Sequence, residues 1–360
     1  MSDHEKYMRL AIELAKKAEG MTSPNPMVGA VIVKGGKIIG RGYHKKAGLP
    51  HAEINAIRQA SKRARGATLY VTLEPCDHFG KTPPCTDAVI GSGIRKVVIG
   101  MKDPNPINNG RGIKELKRNG ITAKAGILES EARDINKPYI KYITAGMPYV
   151  TLKMAQSLDG KIATRQGESR WITSAKSRRY VQSLRAKADA VMVGVNTVLK
   201  DDPMLISKIK GSRQPARVIV DSRLSTPLTA RLFSSAKCSS IFIVTTKRYP
   251  KARLIEKKCA NVLVVKSKAG RVDLKDLLKR LGKMGIMHLL VEGGGELAAG
   301  FIEEGLADKI MFFIAPKIIG GKDALTSVEG RGVDRIEDAV ALKDMNAKRI
   351  GGDILIEAEL

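Results

Sequence analysis

A histidine and a glutamate stand two positions apart in HAEINAIRQA, residues 51–60, where an apolar pattern with helical spacing begins. Two cysteines follow at positions 76 and 85, in TLEPCDHFGKTPPCTDAVI. A catalytic zinc ion takes three protein ligands of the nitrogen and sulfur type and keeps one position open for water. His51, Cys76 and Cys85 supply such a set, and Glu53 lies close enough to act as general acid and base beside it.

The surroundings of the two cysteines favour metal binding. Cys85 opens a predicted helix, and Cys76 follows a predicted strand close to a helix start, where the helix dipole favours the thiolate. Taken singly, each residue would also fit a buried cysteine or a surface histidine, and His78 is a rival ligand. The chain has four cysteines, including Cys238 and Cys259, too few for a disulfide scaffold and indicative of metal binding or burial.

The predicted elements divide the chain into two α/β domains. Residues 1–145 read as helix, hairpin, helix, strand, helix, strand and helix, with the hairpin turning at Gly35-Gly36, which predicts a three-layer domain. In the helix over residues 52–63, Ile54, Ile57 and Ala60 are predicted to face the core. Residues 146–360 carry recurrent apolar strands from PYVTLKMAQS to GDILIEAEL, and the last strands lack intervening helices. This order predicts a mostly parallel sheet that is mixed at one end.

Composition is that of a folded, charged protein, with 43% hydrophobic and 28% charged residues. The formal net charge of +27 raises the question of a nucleic-acid partner, but it is spread over both halves and forms no basic tail. We therefore favour a generally basic proteome or anionic small substrates over a nucleic-acid partner. No uncharged apolar run approaches the roughly 18 residues of a membrane span, and no secretory signal is visible, so a cytoplasmic location is expected.

The order His-Ala-Glu, Glu-Pro-Cys and a second cysteine resembles the signature of zinc nucleoside and nucleobase deaminases. Eight residues separate Cys76 from Cys85, whereas two are usual there, so the loop DHFGKTPP is an insertion. Together with TSPNPMVGAVIV, GYHKKAGLPHAE and TLKMAQSLDGKIA, the sequence resembles the bifunctional deaminase/reductase family of riboflavin biosynthesis, from about residue 5 to 358. This resemblance implies a cytidine-deaminase-like domain over residues 1–145 and a dihydrofolate-reductase-like domain over residues 146–360.

By this resemblance, the first domain uses Zn²⁺ to deaminate a diaminopyrimidinone ribosyl phosphate, with His51, Cys76 and Cys85 as ligands and Glu53 as the proton shuttle. The family pattern also implies that certain side chains hold the pyrimidine or its phosphoribosyl group. These are Asn25, His44, His78 and Lys81. Asn25 could instead be a turn residue between two prolines, His44 could cap a strand end, and Lys81 could be a solvated loop residue.

The second domain contains a glycine-rich turn, Gly293–Gly295, between an apolar strand and a helix. Such glycines let backbone amides approach a phosphate at a helix N-terminus, although many turns of this kind are only tight connections. The Gly-x-Gly-x-x-Gly fingerprint is missing, so a standard Rossmann site is not supported. Polar residues also follow the apolar strands in TLKMAQSLDGKIA, SRWITS and VNTVLKDDPML, which is typical of sites at strand ends.

The resemblance implies that this half uses NADPH to reduce the ribosyl group to a ribityl chain, with Lys153 and Asp201 assisting hydride transfer. Arg185 is suited to a substrate phosphate, and Trp171, which could otherwise be a core residue, is expected to contact the cofactor. The implied substrate positions are Lys153, Ser169, Arg185, Leu205, Lys208 and Glu292. The implied cofactor positions are Ala155, Trp171, Thr173, Thr197, Asp201, Ser222, Gly293, Gly294 and Gly295.

One position departs from the family pattern. Lys208 stands where the family generally has an arginine, so the charge is kept but the bidentate fork is lost, and Lys210 or Arg213 could compensate.

Two other functions stay open at this point, a polynucleotide deaminase and a non-enzymatic, basic RNA-binding protein with a structural zinc. A homo-oligomer is compatible with the family, but no motif in the sequence requires one.

Overall fold

The structure is a computed structural model that describes residues 2–80, 83–234, 240–258 and 260–360. The predicted substrate residue Lys81 and the cysteines Cys238 and Cys259 lie outside these ranges. The chain divides into two compact units, which we call the N-terminal unit, Met1–Gly146, and the C-terminal unit, Met147–Leu360. Among the described residues, no helix has both the length and the apolar character that a membrane crossing needs.

The N-terminal unit alternates helices and strands as the sequence predicts. Its first helix begins at a capping box, in which the Ser2 hydroxyl accepts from the Glu5 amide and the Glu5 carboxylate accepts from the Ser2 amide. The elements are α1 Asp3–Lys16, β1 Gly29–Lys34, β2 Lys37–Tyr43, α2 Ala52–Ala60, β3 Thr68–Leu73, α3 Cys85–Gly91, β4 Lys96–Met101, α4 Arg111–Arg118, β5 Thr122–Ala125, α5 Glu129–Asp134 and α6 Lys137–Ala145.

The five strands form one sheet in the order β2-β1-β3-β4-β5, antiparallel at the hairpin and parallel from β3 to β5. Gly35 and Gly36 both have positive φ at the hairpin turn, a conformation that costs glycine little. Alternate side chains of β1 enter different cores. Ala30 and Ile32 pack with α2, α3 and α4, whereas Val31 and Val33 pack with α1. Helices therefore cover both faces of the sheet, and the predicted three-layer architecture is confirmed.

The C-terminal unit is also an α/β structure. Its elements are β6 Tyr149–Ser157, α7 Ala175–Lys187, β7 Ala190–Gly194, α8 Val195–Asp201, β8 Ala216–Val220, β9 Ile241–Thr245, α9 Ala252–Glu256, β10 Asn261–Val264, β11 Ser267–Lys268, β12 Arg271–Val272, α10 Leu274–Lys283, β13 His288–Glu292, α11 Gly295–Glu303, β14 Lys309–Ala315, β15 Lys343–Ile350 and β16 Asp353–Glu359.

Nine of these strands form one sheet in the order β10-β9-β8-β7-β13-β6-β14-β16-β15. Pairing is parallel from β10 to β14 and antiparallel from β14 to β15, so the predicted mixed sheet is confirmed. The sequence reasoning missed β15, because its residues KDMNAKRI are polar and exposed and show no apolar pattern. Strands β7 and β13 end at Gly194 and Glu292, and Lys153, in the middle of the longer β6, pairs in register with Glu292 near this edge of the sheet.

Candidate functional site

The helix α2 places His51 and Glu53 close to strand β2. His51 is the residue before the helix, and its side chain makes no capping hydrogen bond, so the ring is available elsewhere. A Cβ atom at Gly40 or Gly42 would lie 2.4 Å from the carbonyl oxygen of Ala56 or 2.2 Å from that of Ala52. Only glycine permits this close approach of the helix to the strand.

This tight packing also changes which face of α2 is buried. The fully buried residues are Ala52, Ala56 and Ala60, whereas Ile54 and Ile57 are only half-buried. The prediction was right for Ala60 but wrong for Ile54 as a core residue. Small side chains are favoured at this interface because the backbone of α2 packs closely against the backbone of β2.

The structure brings His51, Cys76 and Cys85 together, although the first and the last are 34 positions apart in the sequence. The His51 Nδ1 atom lies 3.2 Å from the Cys85 Sγ and 3.6 Å from the Cys76 Sγ, and the three atoms all lie within 4.8 Å of one another. Tetrahedral zinc with bonds of about 2.0–2.3 Å holds its ligand atoms roughly 3.5 Å apart. The donor set and its spacing therefore fit a zinc ion.

The two cysteines differ in their acidity. The backbone N–H of Cys85, at the start of α3, points to the Cys76 Sγ at 3.4 Å. The hydrogen bond from the Cys85 thiol, more than any other contact, lowers the pKa of Cys76 to about 4. The same hydrogen bond, together with burial, raises the pKa of Cys85. Cys76 is thus ready as a thiolate, and Cys85 releases its proton when metal binds.

Glu53 is the acid that accompanies this cluster. Its side chain is 3% exposed, and its Oε2 atom has no hydrogen-bond partner within the described structure. Burial, and then the negative charge of Cys76, raise the pKa of Glu53 to about 7. A carboxyl group with such a pKa can both accept and donate a proton near neutral pH, as general acid–base chemistry requires.

Asn25 and His44 lie beside the same cluster, as the sequence reasoning expected. The His44 ring stands edge-on to the His51 ring, with 5.1 Å between their centroids. The His44 Nδ1 lies 3.3 Å from the carbonyl oxygen of Pro50, which requires the proton on Nδ1, and Nε2 then accepts from the Asn25 amide at 3.1 Å. Burial lowers the pKa of His44, so the ring is neutral. This arrangement uses the Asn25 Nδ2 atom and fixes the orientation of the amide beside the cluster.

His78 is half-buried on the loop after Cys76 and does not join the metal cluster formed by the described residues. Its Nδ1 atom is buried and has no hydrogen-bond partner within the described part of the chain.

A buried glutamate that the sequence reasoning passed over stabilises the ligand loop. Glu74 precedes Pro75 and Cys76, and its carboxylate accepts hydrogen bonds from the backbone amides of Asp103, Gly110 and Ile113 at 3.0–3.1 Å. The sequence does show an acid directly after the apolar strand β3. An acid that is buried at such a position needs several hydrogen-bond donors, so a structural role could have been predicted for it. Its partners lie some 30–40 residues away and carry no local pattern.

In the C-terminal unit, a cavity of about 690 Å³ opens at the edge where β6, β7 and β13 end. Most of the predicted reductase residues line it. These are Lys153, Ala155, Ser169, Trp171, Thr173, Arg185, Thr197, Asp201, Leu205, Lys208, Glu292, Gly293, Gly294 and Gly295. Parallel strands commonly present their ligand sites at this edge.

Three buried charges occupy one wall of the cavity. The Arg185 guanidinium donates to the Glu292 carboxylate through Nε and Nη2 at 2.6 and 2.9 Å, and the Lys153 Nζ lies 3.8 Å from the same carboxylate. Burial lowers the pKa of Lys153. Against the opposing effect of burial, Arg185 and Lys153 hold the pKa of Glu292 below its ordinary value.

The paired state of Arg185 bears on its predicted role. Glu292 takes two of its donors and the Ile206 carbonyl takes another, so the Arg185 charge is already compensated inside the protein. A phosphate at Arg185 would therefore have to compete with the Glu292 carboxylate. The sequence does not reveal this pairing.

Asp201 is the last residue of helix α8, and it accepts hydrogen bonds from the loop that contains Ser169 and Arg170. Its carboxylate accepts from the Ser169 hydroxyl at 2.8 Å, and its carbonyl oxygen accepts from the Arg170 guanidinium. Asp201 and Ser169, predicted as cofactor and substrate positions, are therefore in direct contact.

Trp171 is 62% exposed at the cavity, which excludes the alternative of a core residue. The Arg178 guanidinium lies 4.3 Å from the centre of its ring and donates to the Thr173 carbonyl at 2.6 Å. The carbonyl oxygen of Trp171 accepts from the Lys317 Nζ at 2.7 Å. Arg178 and Lys317 were not predicted, and no spacing in the sequence points to either of them.

The glycine turn and Ser222 differ in their placement. Gly293 and Gly294 have positive φ, and their Cβ atoms would approach the Thr197 hydroxyl to 3.6 and 3.9 Å, so the turn and Thr197 are neighbours. Ser222 does not line the cavity. Its hydroxyl accepts from the Val272 amide at 3.2 Å.

Lys208 lines the cavity, but neither of the residues proposed to compensate for the lost arginine does. Arg213 instead pairs with the buried Asp189 at 2.6 Å. Arg178 and Arg231 supply guanidinium groups to the cavity lining in places that the sequence reasoning did not consider.

Comparison with known proteins agrees with this arrangement. The family model of the RibD C-terminal domain matches residues 148–356, and that of the cytidine and deoxycytidylate deaminase zinc-binding region matches residues 1–101. The riboflavin biosynthesis protein RibD of Aquifex aeolicus is 48% identical over 351 residues, which cover 97% of this chain and 96% of that protein. The corresponding RibD of Escherichia coli is 39% identical and covers 98% of each chain.

Solved structures show the same likeness. An Acinetobacter baumannii RibD structure matches with a TM-score of 0.91 and 38% identity over 99% of this chain and 98% of that one. A diaminohydroxyphosphoribosylaminopyrimidine deaminase/5-amino-6-(5-phosphoribosylamino)uracil reductase from Thermotoga maritima matches with a TM-score of 0.86 and 39% identity. The predicted fold, a cytidine-deaminase-like domain followed by a dihydrofolate-reductase-like one, is confirmed. The chain belongs to the RibD family of riboflavin biosynthesis proteins.

Proposed function

We propose that this chain is a bifunctional enzyme of riboflavin biosynthesis. It hydrolyses the amino group of 2,5-diamino-6-(5-phosphoribosylamino)pyrimidin-4-one and then reduces the ribosyl group of the product to a ribityl chain with NADPH. We assign the deaminase to residues 1–145 and the reductase to residues 146–360. The observation that carries the proposal is the cluster of His51, Cys76 and Cys85 with the buried carboxyl of Glu53 beside it.

In the deamination, water replaces the amino group on the pyrimidine carbon and ammonia leaves. Zinc held by the three ligands supplies Lewis acidity to this step. Glu53 takes a proton from the attacking water through its unpartnered Oε2 atom and donates it to the departing amine. Asn25, oriented by the neutral His44 ring, accepts a hydrogen bond from the pyrimidine, and His78 and Lys81 contact the rest of the substrate.

In the reduction, the ring-opened sugar forms an imine, and the bond made is a carbon–hydrogen bond at the former anomeric carbon. NADPH supplies the hydride. The imine nitrogen then needs one proton, and we assign its donation to Lys153, because burial lowers the pKa of this side chain inside the cavity. Glu292 holds Lys153 in place, and Ser169 and Asp201 hold the loop that leads to Trp171.

The test is a coupled assay that follows ammonia release and NADPH oxidation with the diaminopyrimidine substrate. We expect Glu53→Gln to lower ammonia release by about 10²–10⁴-fold while zinc content stays at the wild-type level. Lys153→Ala should leave ammonia release unchanged and abolish NADPH oxidation. Glu13→Gln, on the exposed side of α1, is the matched control for the first variant. Ammonia release by Glu53→Gln at the wild-type rate would refute the deaminase assignment.

We further propose that the chain works as a homo-oligomer in the cytoplasm, without a nucleic-acid partner. The segment of residues 333–345 exposes several apolar side chains, among them Ile336, which is 91% exposed, and Met345, which is 70% exposed. Apolar groups in such number at one segment favour a protein contact. Mass measurement by light scattering, with Ile336→Ser as the variant, tests the oligomer, and an unchanged monomeric mass for both would refute it.

A further inference from the structure

The loop that carries Cys76 is held by a buried side-chain amide. Asn108 has no exposed surface. Its Oδ1 accepts from the backbone N–H of Asp77 at 2.9 Å, and its Nδ2 donates to the carbonyl oxygen of Pro75 at 3.4 Å. A single side chain therefore bonds the peptide groups on both sides of Cys76.

A further set of contacts fixes the orientation of this amide. The Asn108 Nδ2 also donates to the Asp103 carboxylate at 3.1 Å, and the other oxygen of that carboxylate accepts from the Tyr139 hydroxyl at 3.0 Å. Both acceptors around Nδ2 are oxygens, so a rotated amide would bring its own oxygen against them. Oδ1 must therefore face Asp77, and the two hydrogen bonds around Cys76 form in only one orientation of the amide.

The opposite side of the loop is tied to the second thiol ligand. The Thr86 hydroxyl donates to the Asp77 carboxylate at 2.8 Å, and Thr86 follows Cys85 directly in α3. Cys85 is thus held by its helix, whereas Cys76 lies outside any helix or strand. Without the two Asn108 hydrogen bonds, the Cys76 segment would keep the hydrogen bonds that the Thr86 amide and hydroxyl of α3 donate to the Cys76 carbonyl oxygen.

We propose that Asn108 is a positioning residue for the metal centre, which holds the Cys76 sulfur where it can meet His51 and Cys85. This inference rests on the metal assignment made under the proposed function. Groups behind a metal ligand that fix its orientation typically contribute about 10–100-fold to metal affinity. The Asn108 amide reaches the ligand through the backbone rather than through the sulfur, so its removal affects position and leaves the donor set intact.

The test compares Asn108→Ala with Tyr139→Phe in the full-length, zinc-loaded protein. Tyr139→Phe removes one buried hydrogen bond from the same network but touches neither peptide group beside Cys76, so it is the matched control. Zinc release is followed with a chromophoric chelator, and the absorption bands of the cobalt-substituted proteins report the sulfur ligand field. Thermal unfolding of each variant measures the structural cost separately.

We expect Asn108→Ala to release zinc about 10–100-fold faster and to shift the cobalt bands. Tyr139→Phe should lower the unfolding temperature and leave the release rate and the bands unchanged. If Asn108→Ala does not fold, Asn108→Ser takes its place, because serine is polar and neutral, is too short to bond both peptide groups beside Cys76, and brings no charge against the Asp103 carboxylate. A folded Asn108 variant with wild-type zinc release and wild-type bands overturns the proposal. A wild-type protein that binds no zinc overturns the metal assignment itself, and the two failures are thereby distinguished.

Discussion

Replacing Glu292 with glutamine removes a negative charge that the cations Arg185 and Lys153 share. The side chain of Glu292 is 8% exposed, and those of its partners Arg185 and Lys153 are 17% and 14% exposed. Glutamine keeps the shape but cannot compensate either charge, and its amide nitrogen would face guanidinium donors. The structure therefore predicts that Glu292→Gln strongly destabilises the C-terminal unit.

The magnitude follows from burial. Removing one partner of a buried ion pair costs about 3–5 kcal/mol, because an uncompensated charge stays out of water. We expect the lower end, since Lys153, whose pKa burial already lowers, can release its proton. At roughly 2–4 °C per kcal/mol for a domain of this size, the unfolding temperature falls by about 6–12 °C.

A second glutamate–arginine pair offers a control in a more exposed environment. The Glu256 carboxylate accepts from the Arg248 Nη2 at 2.7 and 2.9 Å, but the two side chains are 36% and 56% exposed. Exposed pairs contribute about 0–1 kcal/mol, so Glu256→Gln should shift the unfolding temperature by less than about 4 °C. Equal shifts for the two variants would refute the reasoning, because burial would then not govern the cost.

The pH dependence gives an independent check on Glu292. Its pKa in the folded protein lies below the ordinary value, so its contribution to stability is present above the unfolded-state pKa and is lost as pH falls through the folded-state pKa. The difference in unfolding temperature between wild type and Glu292→Gln should therefore shrink on acidification from neutral pH. A difference that grows on acidification would contradict this sign.

Three further predictions concern the other sites. Cys76→Ser should lower bound zinc in elemental analysis and abolish ammonia release, because hydroxyl is a far poorer zinc ligand than thiolate; a wild-type zinc content would contradict this. Lys208→Ala should raise the reductase Michaelis constant for the phosphorylated substrate with little change in turnover, and an unchanged constant would exclude a phosphate contact. Arg178→Ala should change the fluorescence of Trp171, the only tryptophan, and weaken NADPH binding, whereas Arg179→Ala, one residue along on the exposed side of α7, should do neither.

The metal cluster could be predicted from the sequence, because its chemistry restricts the residue types. Few side chains bind zinc, and His51, Cys76 and Cys85 stand next to strong helix and strand signals. Asn108 could not be predicted, and for Glu74 the sequence shows an acid at the end of an apolar strand but not its partners. Both residues act through backbone amides that any residue carries, and the partner segments lie some 30–40 residues away. The residues that position the metal ligands are therefore hard to predict from the sequence, because the backbone groups they bond to do not depend on residue type.

In the reductase cavity, too, the sequence does not show which charged side chains pair with each other. The sequence indicates that Arg185 and Glu292 belong to a site, but it cannot say that they face each other, and this pairing decides what Arg185 does. Arg213 was considered as a phosphate ligand and is instead paired with Asp189. The count of 63 lysines and arginines therefore overstates the cations that anionic ligands can use, because Arg185 and Arg213 are already compensated by carboxylates inside the protein. Cations such as Arg178 and Lys208, which line the cavity without a carboxylate ion pair among the described contacts, are the ones that a phosphate should meet.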